Sequence, residues 1–455
     1  MPVPTWRLAL AAALAAVVVL LTPLAPWTTL LVVNGALLLA ALVDWLRAPA
    51  PSSLAVDREL PGVVGLGAEA EVVWRVRNPH RRAVRVRLAD ELGPSLQPAN
   101  RRAALRVPAG GRASARTTIR PVRRGRYVPR ELTLRAEGPW GLAARQGRRD
   151  LPGALRVYPP FRSREEAELR IRRARILEVG LRSATGRGGG TEFDSLREYG
   201  VDDEFRRIDW SATARAGKAI VRTYRAERNQ TIIVLLDSGR VMAGLVEVAE
   251  RVGAAGLGEA GTVERRPAPV PRLDHAMDAV MMLTAVSTQL GDRAGFVAFA
   301  DEVREVVPPG ARGQLARVTE AMYDLEPRLV ESDYRRAFIE TLTRFRRRSL
   351  LVVLTELTPA AVDETLLPAL PLVVRDHLVV VAGVRDPAVE RWATAVPTEA
   401  STAYRKAAAV AALDERRRVV ARLRGLGATV VDAVPGRLSP ELADAYLRVK
   451  ATGRL

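Results

Sequence analysis

The sequence predicts a multi-domain chain: an N-terminal transmembrane helical hairpin, an antiparallel β-sandwich, and an α/β domain on a doubly wound parallel sheet. Three observations predict it. Two apolar runs fill the first 45 residues. From Val72 to Pro160, short stretches alternate apolar and polar residues. After Thr231, wholly apolar runs of strand length alternate with stretches of helical periodicity. The expected boundaries are 1–50 for the hairpin, 51–160 for the sandwich, 161–227 for a charged connector and 228–455 for the α/β domain.

The hairpin rests on runs at 8–24 and 28–45, each near the roughly 20 residues that cross a bilayer. Pro23 and Pro26 break the helix between them, and Trp27 and Trp45 suit the interfaces. A signal peptide accounts for the first run but not for the second, which follows directly and stops at "DWLR". Arg7 before the runs and Arg47 and Arg58 after them put both ends in the cytoplasm by the positive-inside rule. The expected arrangement is therefore a membrane crossed twice, with the soluble domains cytoplasmic.

The sandwich rests on "AEVVWRVRNP", "AVRVRLAD", "RAALRVPAG", "SARTTIRPV", "ELTLRAEG" and "ALRVYPP". Period-two stretches bounded by Gly, Pro and Asn are strands with one buried face. Their arginines fall on the outward positions and form a solvated face. "PVRRGRYVPREL" is a basic hairpin on a sheet edge, or a patch that meets lipid headgroups.

Composition narrows the chemistry. The 455 residues are 48% hydrophobic and 27% charged, so the chain can bury proper cores. There is no cysteine, which excludes disulfides, thiolate metal sites and cysteine nucleophiles. His80, His275 and His377 are scattered. The net charge of +19, mostly arginine, favours anionic surfaces. No nucleic-acid motif accompanies it, and no nucleic-acid partner is expected.

The connector begins with "FRSREEAELRIRRARILEVGLR", of helical composition, and "TGRGGGTEF". The latter lacks a Gly-Lys-Ser/Thr ending and reads as a linker rather than a phosphate loop. Then Arg197, Glu198, Asp202, Asp203, Arg206, Arg207 and Asp209 crowd together among Phe193, Tyr199, Phe205, Ile208 and Trp210. Matched acids and arginines satisfy one another in fixed geometry, with the aromatics as apolar surface to lie on. The expected role is a rigid joint between the β-domain and the α/β domain.

After residue 228, "TIIVLLD", "RAGFVAFAD", "SLLVVLTEL", "HLVVVAGV" and "ATVVDAV" are buried strands. "DHAMDAVMMLTAVSTQLG", "GQLARVTEAMYDL", "DYRRAFIETLTRFRRR" and "AYRKAAAVAALDERRRVVARLRGLG" are helices. Such a sheet carries its site beyond the carboxyl ends of its strands, where Asp237 and Glu356 stand. Ala243 to Pro271, rich in Gly, Ala and Pro, is a surface insertion or a partner-binding loop.

"TEFDSLREY", "DDEFRRIDWSATAR", "AIVRTYRAE" and "TIIVLLDSGRVM" together resemble the bacterial membrane family called domain of unknown function 58. Its signature runs G-x-E-F-x-x-L-R-x-Y-x-x-G-D-x-x-R-x-I-D-W-x-x-T-A-R into a von Willebrand factor A-like domain. The matching residues are Glu192, Phe193, Leu196, Arg197, Tyr199, Asp202, Asp203, Arg206, Ile208, Asp209, Trp210, Thr213, Ala214 and Arg215, with Tyr224 and Glu227 downstream. "EGPWGL" resembles the family's D-P-F-G-L turn; Val201 departs from the pattern, standing near a family glycine. The resemblance implies a metal motif D-x-S-x-S after the first strand of the A-like domain. Here that stretch is Asp237, Ser238, Gly239, Arg240 and Val241, so both motif serines are lost. Asp237, Ser238 and Glu356 are the candidates of a degenerate site, with Arg240 placed to neutralise Asp237. Mg²⁺ is the ion such a site would hold, and neither a metal nor another cofactor is expected.

No catalytic residue is assigned, since no histidine stands near Ser211, Thr213 or Asp209 in sequence. The expected function is a membrane-anchored, non-enzymatic interaction or adaptor protein. The resemblance implies work with a MoxR-type AAA+ ATPase in assembling or remodelling protein complexes, the partner hydrolysing ATP. Membrane lipids are the other expected partner. A scaffold for anionic lipid or cell-wall machinery is the alternative, and a hydrolase a further one.

Overall fold

The computed structural model describes residues 1–21, 26–184, 192–200, 203, 205–225, 230–246 and 269–452. It divides into two compact units, Met1–Pro160 and Phe161–Leu455.

The first unit opens with the helices Trp6–Leu21 and Pro26–Arg47. Pro26–Arg47 is, by length and composition, able to cross a membrane; the apolar helix before it is shorter. Eleven strands form three sheets. Pro2–Pro4, Ala143–Asp150, Glu131–Glu137, Val84–Asp90 and Arg102–Val107 lie in that order in one. Ala55–Glu59, Ala70–Arg77 and Arg112–Ile119 form the second, and Val63–Gly65, Leu155–Tyr158 and Gly125–Tyr127 the third. One pair, Leu155–Tyr158 with Val63–Gly65, is parallel; the others are antiparallel. Val72, Trp74, Val76, Val86, Leu88 and Leu134 meet in one core, with the intervening arginines outward, as period-two patterning requires. The core also holds an ion pair: Arg58 meets Asp90 at 2.5 Å, and the Trp74 indole donates to the other oxygen of Asp90 at 2.6 Å.

The helices are fastened to this unit at both ends. Pro2–Pro4 adds to the edge of Ala143–Asp150. At the far end, the buried Asp44 carboxylate accepts the backbone N–H groups of Trp140 (2.8 Å), Leu142 (2.7 Å) and Ala143 (2.9 Å). A Cβ at Gly138 would collide with that carboxylate, which is why glycine stands there. Arg145 donates to the carbonyls of Trp45 and Leu46, capping the helix end where its partial negative charge lies.

In the second unit a six-stranded sheet runs Val303–Gly310, Arg293–Phe299, Thr231–Asp237, Leu350–Leu354, Leu378–Val384, Thr429–Ala433. All neighbours are parallel except Val303–Gly310, an antiparallel edge. The central parallel strands are buried on both faces, which explains their unbroken apolar runs. On one face Val280, Leu283 and Val286 of helix Arg272–Gln289 pack with Ile232, Val234 and Phe296 and with Leu442 and Tyr446 of helix Leu438–Ala451. Ala167, in helix Arg164–Ala184, joins this core, so that charged stretch belongs to the α/β unit. On the other face Tyr334, Phe338, Val373 and Leu423 cover Ile233, Leu235 and Val353. The 185–191 linker and residues 247–268 of the insertion lie outside the described residues; the insertion's ends pair as Leu245–Val246 with Val270–Pro271.

Candidate functional site

The sheet order reverses between Thr231–Asp237 and Leu350–Leu354: later strands extend one way and earlier ones the other. The crevice at such a reversal is where open α/β sheets take ligands. Asp237 ends one strand there, and Thr355 and Glu356 follow the other.

Asp237 is 0% exposed, and both its oxygens are engaged. One accepts the Gly239 N–H at 2.8 Å and the Ser332 hydroxyl at 2.5 Å. The other accepts the Tyr334 hydroxyl at 2.7 Å and the Thr355 hydroxyl at 2.6 Å. Burial first, and then the charge of Asp237, push the Tyr334 hydroxyl well above the usual phenol range, so it stays a donor. The Ser238 hydroxyl donates to the Phe299 carbonyl and accepts from Arg304. Arg240, expected beside Asp237, instead pairs with Glu331 at the surface. Four neutral donors already satisfy the aspartate, so it has no need of a guanidinium. Glu356 is buried between Arg416 and Arg272, the latter at 3.0 Å, and Arg416 also grips Asp432 at 2.9 Å.

These residues do not fit a divalent cation. Magnesium takes oxygen ligands in near-octahedral geometry. Here the lone pairs of Asp237 are taken by protein donors, and two cations flank Glu356. Among the described residues no group of three or more His, Asp and Glu side chains is placed to hold a metal. Thr355 was visible beside Glu356 in the sequence. Ser332 and Tyr334 arrive from 95 and 97 residues away, with no local signal.

Among the described residues two Ser–His contacts occur, and neither is arranged as a nucleophile with its base. Ser53 gives its proton to the Ala50 carbonyl, so it accepts from His80 Nε2 at 2.7 Å, the reverse of what activation needs. Ser349 meets His377 at 2.9 Å, but both are buried at the amino ends of their strands.

The signature segment folds as a small module. Strand Glu192–Glu198 pairs antiparallel with Ile220–Arg225, and between them come a 3-10 turn, Phe205–Arg207, and helix Trp210–Ala216. Asp209 caps that helix through the Ala212 N–H at 3.0 Å and pairs with Arg222 at 2.7 Å. Those bonds, the Arg222 one foremost, hold its carboxyl below the usual range. Arg197 grips Asp203 with two bonds, 2.7 and 2.5 Å, and Asp203 also accepts the Gly200 N–H. Thr213 accepts the Ile220 N–H at 3.0 Å. Ile208 bridges to Val221, and Ala212 and Val221 are buried beneath. Ala214 and Arg215 complete the helix, Arg215 bonding back to Ser211. Arg206 is exposed on the turn. Asp202 and Glu227 lie outside the described residues, as do the side chains of Glu192, Phe193 and Tyr224.

Tyr199, Phe205 and Trp210 do not underlie the charge pairs as expected. Phe205 is 66% exposed and Trp210 61%, edge to face at 5.6 Å, with Leu196 and Tyr199 also exposed. Among the described side chains of this small module, Ala212, Ile220 and Val221 are the buried apolar ones, and Phe205 and Trp210 lie outside.

A family model described as "Protein of unknown function DUF58" matches residues 195–245 and 266–400. No curated protein matches the chain. Among solved structures, the CARDB domain of PF1109 from Pyrococcus furiosus matches in two forms. The solution NMR structure is 15% identical over 23% of this chain and 94% of that one, with a TM-score of 0.17. The crystal structure, in complex with di-metal ions, is 14% identical over 23% and 91%, with a TM-score of 0.16. Scores that low carry no argument about fold or function.

Proposed function

We propose a membrane-anchored adaptor without catalysis of its own, reading the chain as a member of the DUF58 family, which the match over residues 195–245 and 266–400 supports. One observation carries the reading. Charge pairs lock the signature module, and it turns Leu196, Tyr199, Phe205 and Trp210 outward. Exposed aromatics on a rigid support are what a protein-docking face needs. Opposed to an enzyme, Asp237, Asp209 and Glu356 are held by internal donors and cations, and the reading includes no metal. The partner we propose is a MoxR-type AAA+ ATPase, which the resemblance implies.

The α/β unit is read as von Willebrand factor A-like; its strand order with one antiparallel edge supports this. The two N-terminal helices are read as a hairpin crossing the membrane twice. Both its ends are tied to the same strand region, Ala143–Asp150, which supports a path out and back. Arg7, Arg47 and Arg58 at those ends favour the cytoplasm.

The test is affinity purification of the full chain from solubilised native membranes, with and without ATP and Mg²⁺, followed by mass spectrometry. We expect an AAA+ ATPase that is lost in the F205S/W210S variant, whose melting stays as in wild type. Equal recovery with the variant would remove the docking face from the argument, and no ATPase in any condition would remove the partner.

A further inference from the structure

We propose that the first unit carries a binding site for the phosphate of an anionic phospholipid headgroup, at the end of the Pro26–Arg47 helix. This rests on reading that helix as a membrane span. Five arginines line one hollow of about 440 Å³. Arg47 is the last residue of the helix; Arg81, Arg82 and Arg85 come from the turn and strand beside it, and Arg106 from the next strand. Glu137 is the acid in the lining, and Arg87 pairs with it at 3.1 Å. Among the described residues none of the five arginines forms an ion pair.

The sheet register sharpens the point. Arg85 and Arg106 stand directly opposite each other. Like charges in that position destabilise a strand pair. Elsewhere in the same unit Arg75 has Glu59, Arg116 has Glu71 and Arg148 has Glu131; Arg77 and Arg112 also stand opposite each other, but as a single pair outside the hollow. A phosphate in the hollow would supply the missing anion, and guanidinium groups recognise it with paired hydrogen bonds.

Position decides the source of the phosphate. The Asp44 clamp fixes the 138–143 loop, and with it Gly138 and Pro139 of the hollow, against the last turn of an apolar helix. Trp140 on that loop is 49% exposed under the Arg47 guanidinium, at 5.7 Å, and Trp6 is exposed as well. Tryptophan and arginine at the end of a span sit at headgroup depth. The hollow therefore opens where lipid phosphates are concentrated.

The test titrates phosphatidylglycerol and phosphatidylcholine into the full chain in non-ionic detergent, followed by native mass spectrometry. We expect phosphatidylglycerol to predominate and R85Q/R106Q to weaken it, roughly fivefold for each arginine lost. R102Q, on the same strand outside the hollow, is expected to bind as wild type. Melting of R85Q/R106Q is expected not to fall, because a like-charge pair is removed. Equal binding of both lipids, or of R85Q/R106Q and wild type, would overturn the site. Glycerol phosphate binding as tightly as the lipid would overturn the membrane as its source. Carbonate extraction of wild type is read separately: release of the chain would overturn the membrane span itself.

Discussion

Tyr334→Phe isolates what holds Asp237. The substitution removes one hydroxyl and keeps the ring, which packs edge to face on Phe299 at 5.4 Å. No cavity is opened, so the change reads the hydroxyl alone: its 2.7 Å contact with the Thr355 hydroxyl and its bond to Asp237. That bond is 2.7 Å long, buried and made to a carboxylate. Losing one bond to a charged, buried acceptor costs about 1.5–3 kcal/mol. The loss is read as hydrogen exchange of the Thr231–Asp237 and Leu350–Leu354 amides, whose strands the Asp237–Thr355 contact joins. Their opening equilibrium should rise about 10- to 150-fold. Asp237→Asn alone and with Tyr334→Phe completes a cycle, and coupling is expected because the pair shares one bond. Unchanged exchange in Tyr334→Phe would refute the reasoning. So would Mg²⁺ slowing exchange in wild type but not in Asp237→Asn, since a cation would then be using oxygens assigned here to hydroxyls.

His275 makes the second unit sensitive to acid. Burial first, then Arg162, hold its ring at about 4, below the ordinary 6.5. As pH falls through that interval the unfolded chain takes up the proton before the folded one does. Stability is therefore full above about 6.5 and declines toward pH 4, by up to roughly 3 kcal/mol. Unfolding midpoints across this range should show a shallower decline in His275→Gln. Asp44→Ala should leave three buried or half-buried N–H groups without their acceptor, and trypsin should then cut after Arg47 faster than in wild type. An unaltered cleavage rate would mean that the 138–143 loop holds the helix by other contacts.

Buried strands of the α/β unit were legible because both their faces are covered, and the sandwich strands because one face is. What escaped had neither pattern. Ala143–Asp150, "AARQGRRD", does not alternate; it lies between Glu131–Glu137 and the short edge Pro2–Pro4, with the end of a helix against it. Val303–Gly310 carries two prolines and forms an edge, where the missing N–H groups are tolerated. Helix Leu438–Ala451 has Pro440 in its first turn and a weak apolar period, yet Leu442, Ala443 and Tyr446 bury it. At the candidate site, Asp237 and Glu356 could be read as strand ends, but their partners are set by tertiary structure: hydroxyls for one, arginines from two helices for the other. The signature's charges could be counted, but not which way its rings turn. That depends on which side chains the folded module takes inside.

The net charge of +19 looks like background, but the structure sorts it. Arg58 is buried on Asp90, and Arg272 and Arg416 are committed to Glu356. Arg197 and Arg222 hold the signature module. Arginines so engaged contribute nothing to binding an outside anion, because their charge is already answered. The excess that remains is not spread evenly: five of its guanidinium groups line one hollow where an apolar helix ends. Codon bias can raise the arginine content of a chain, but it does not choose the sheet register. Arg77 faces Arg112 as Arg85 faces Arg106, so it is the gathering of five guanidinium groups at the end of an apolar helix, with Arg85 across from Arg106 among them, that a bound anion would answer.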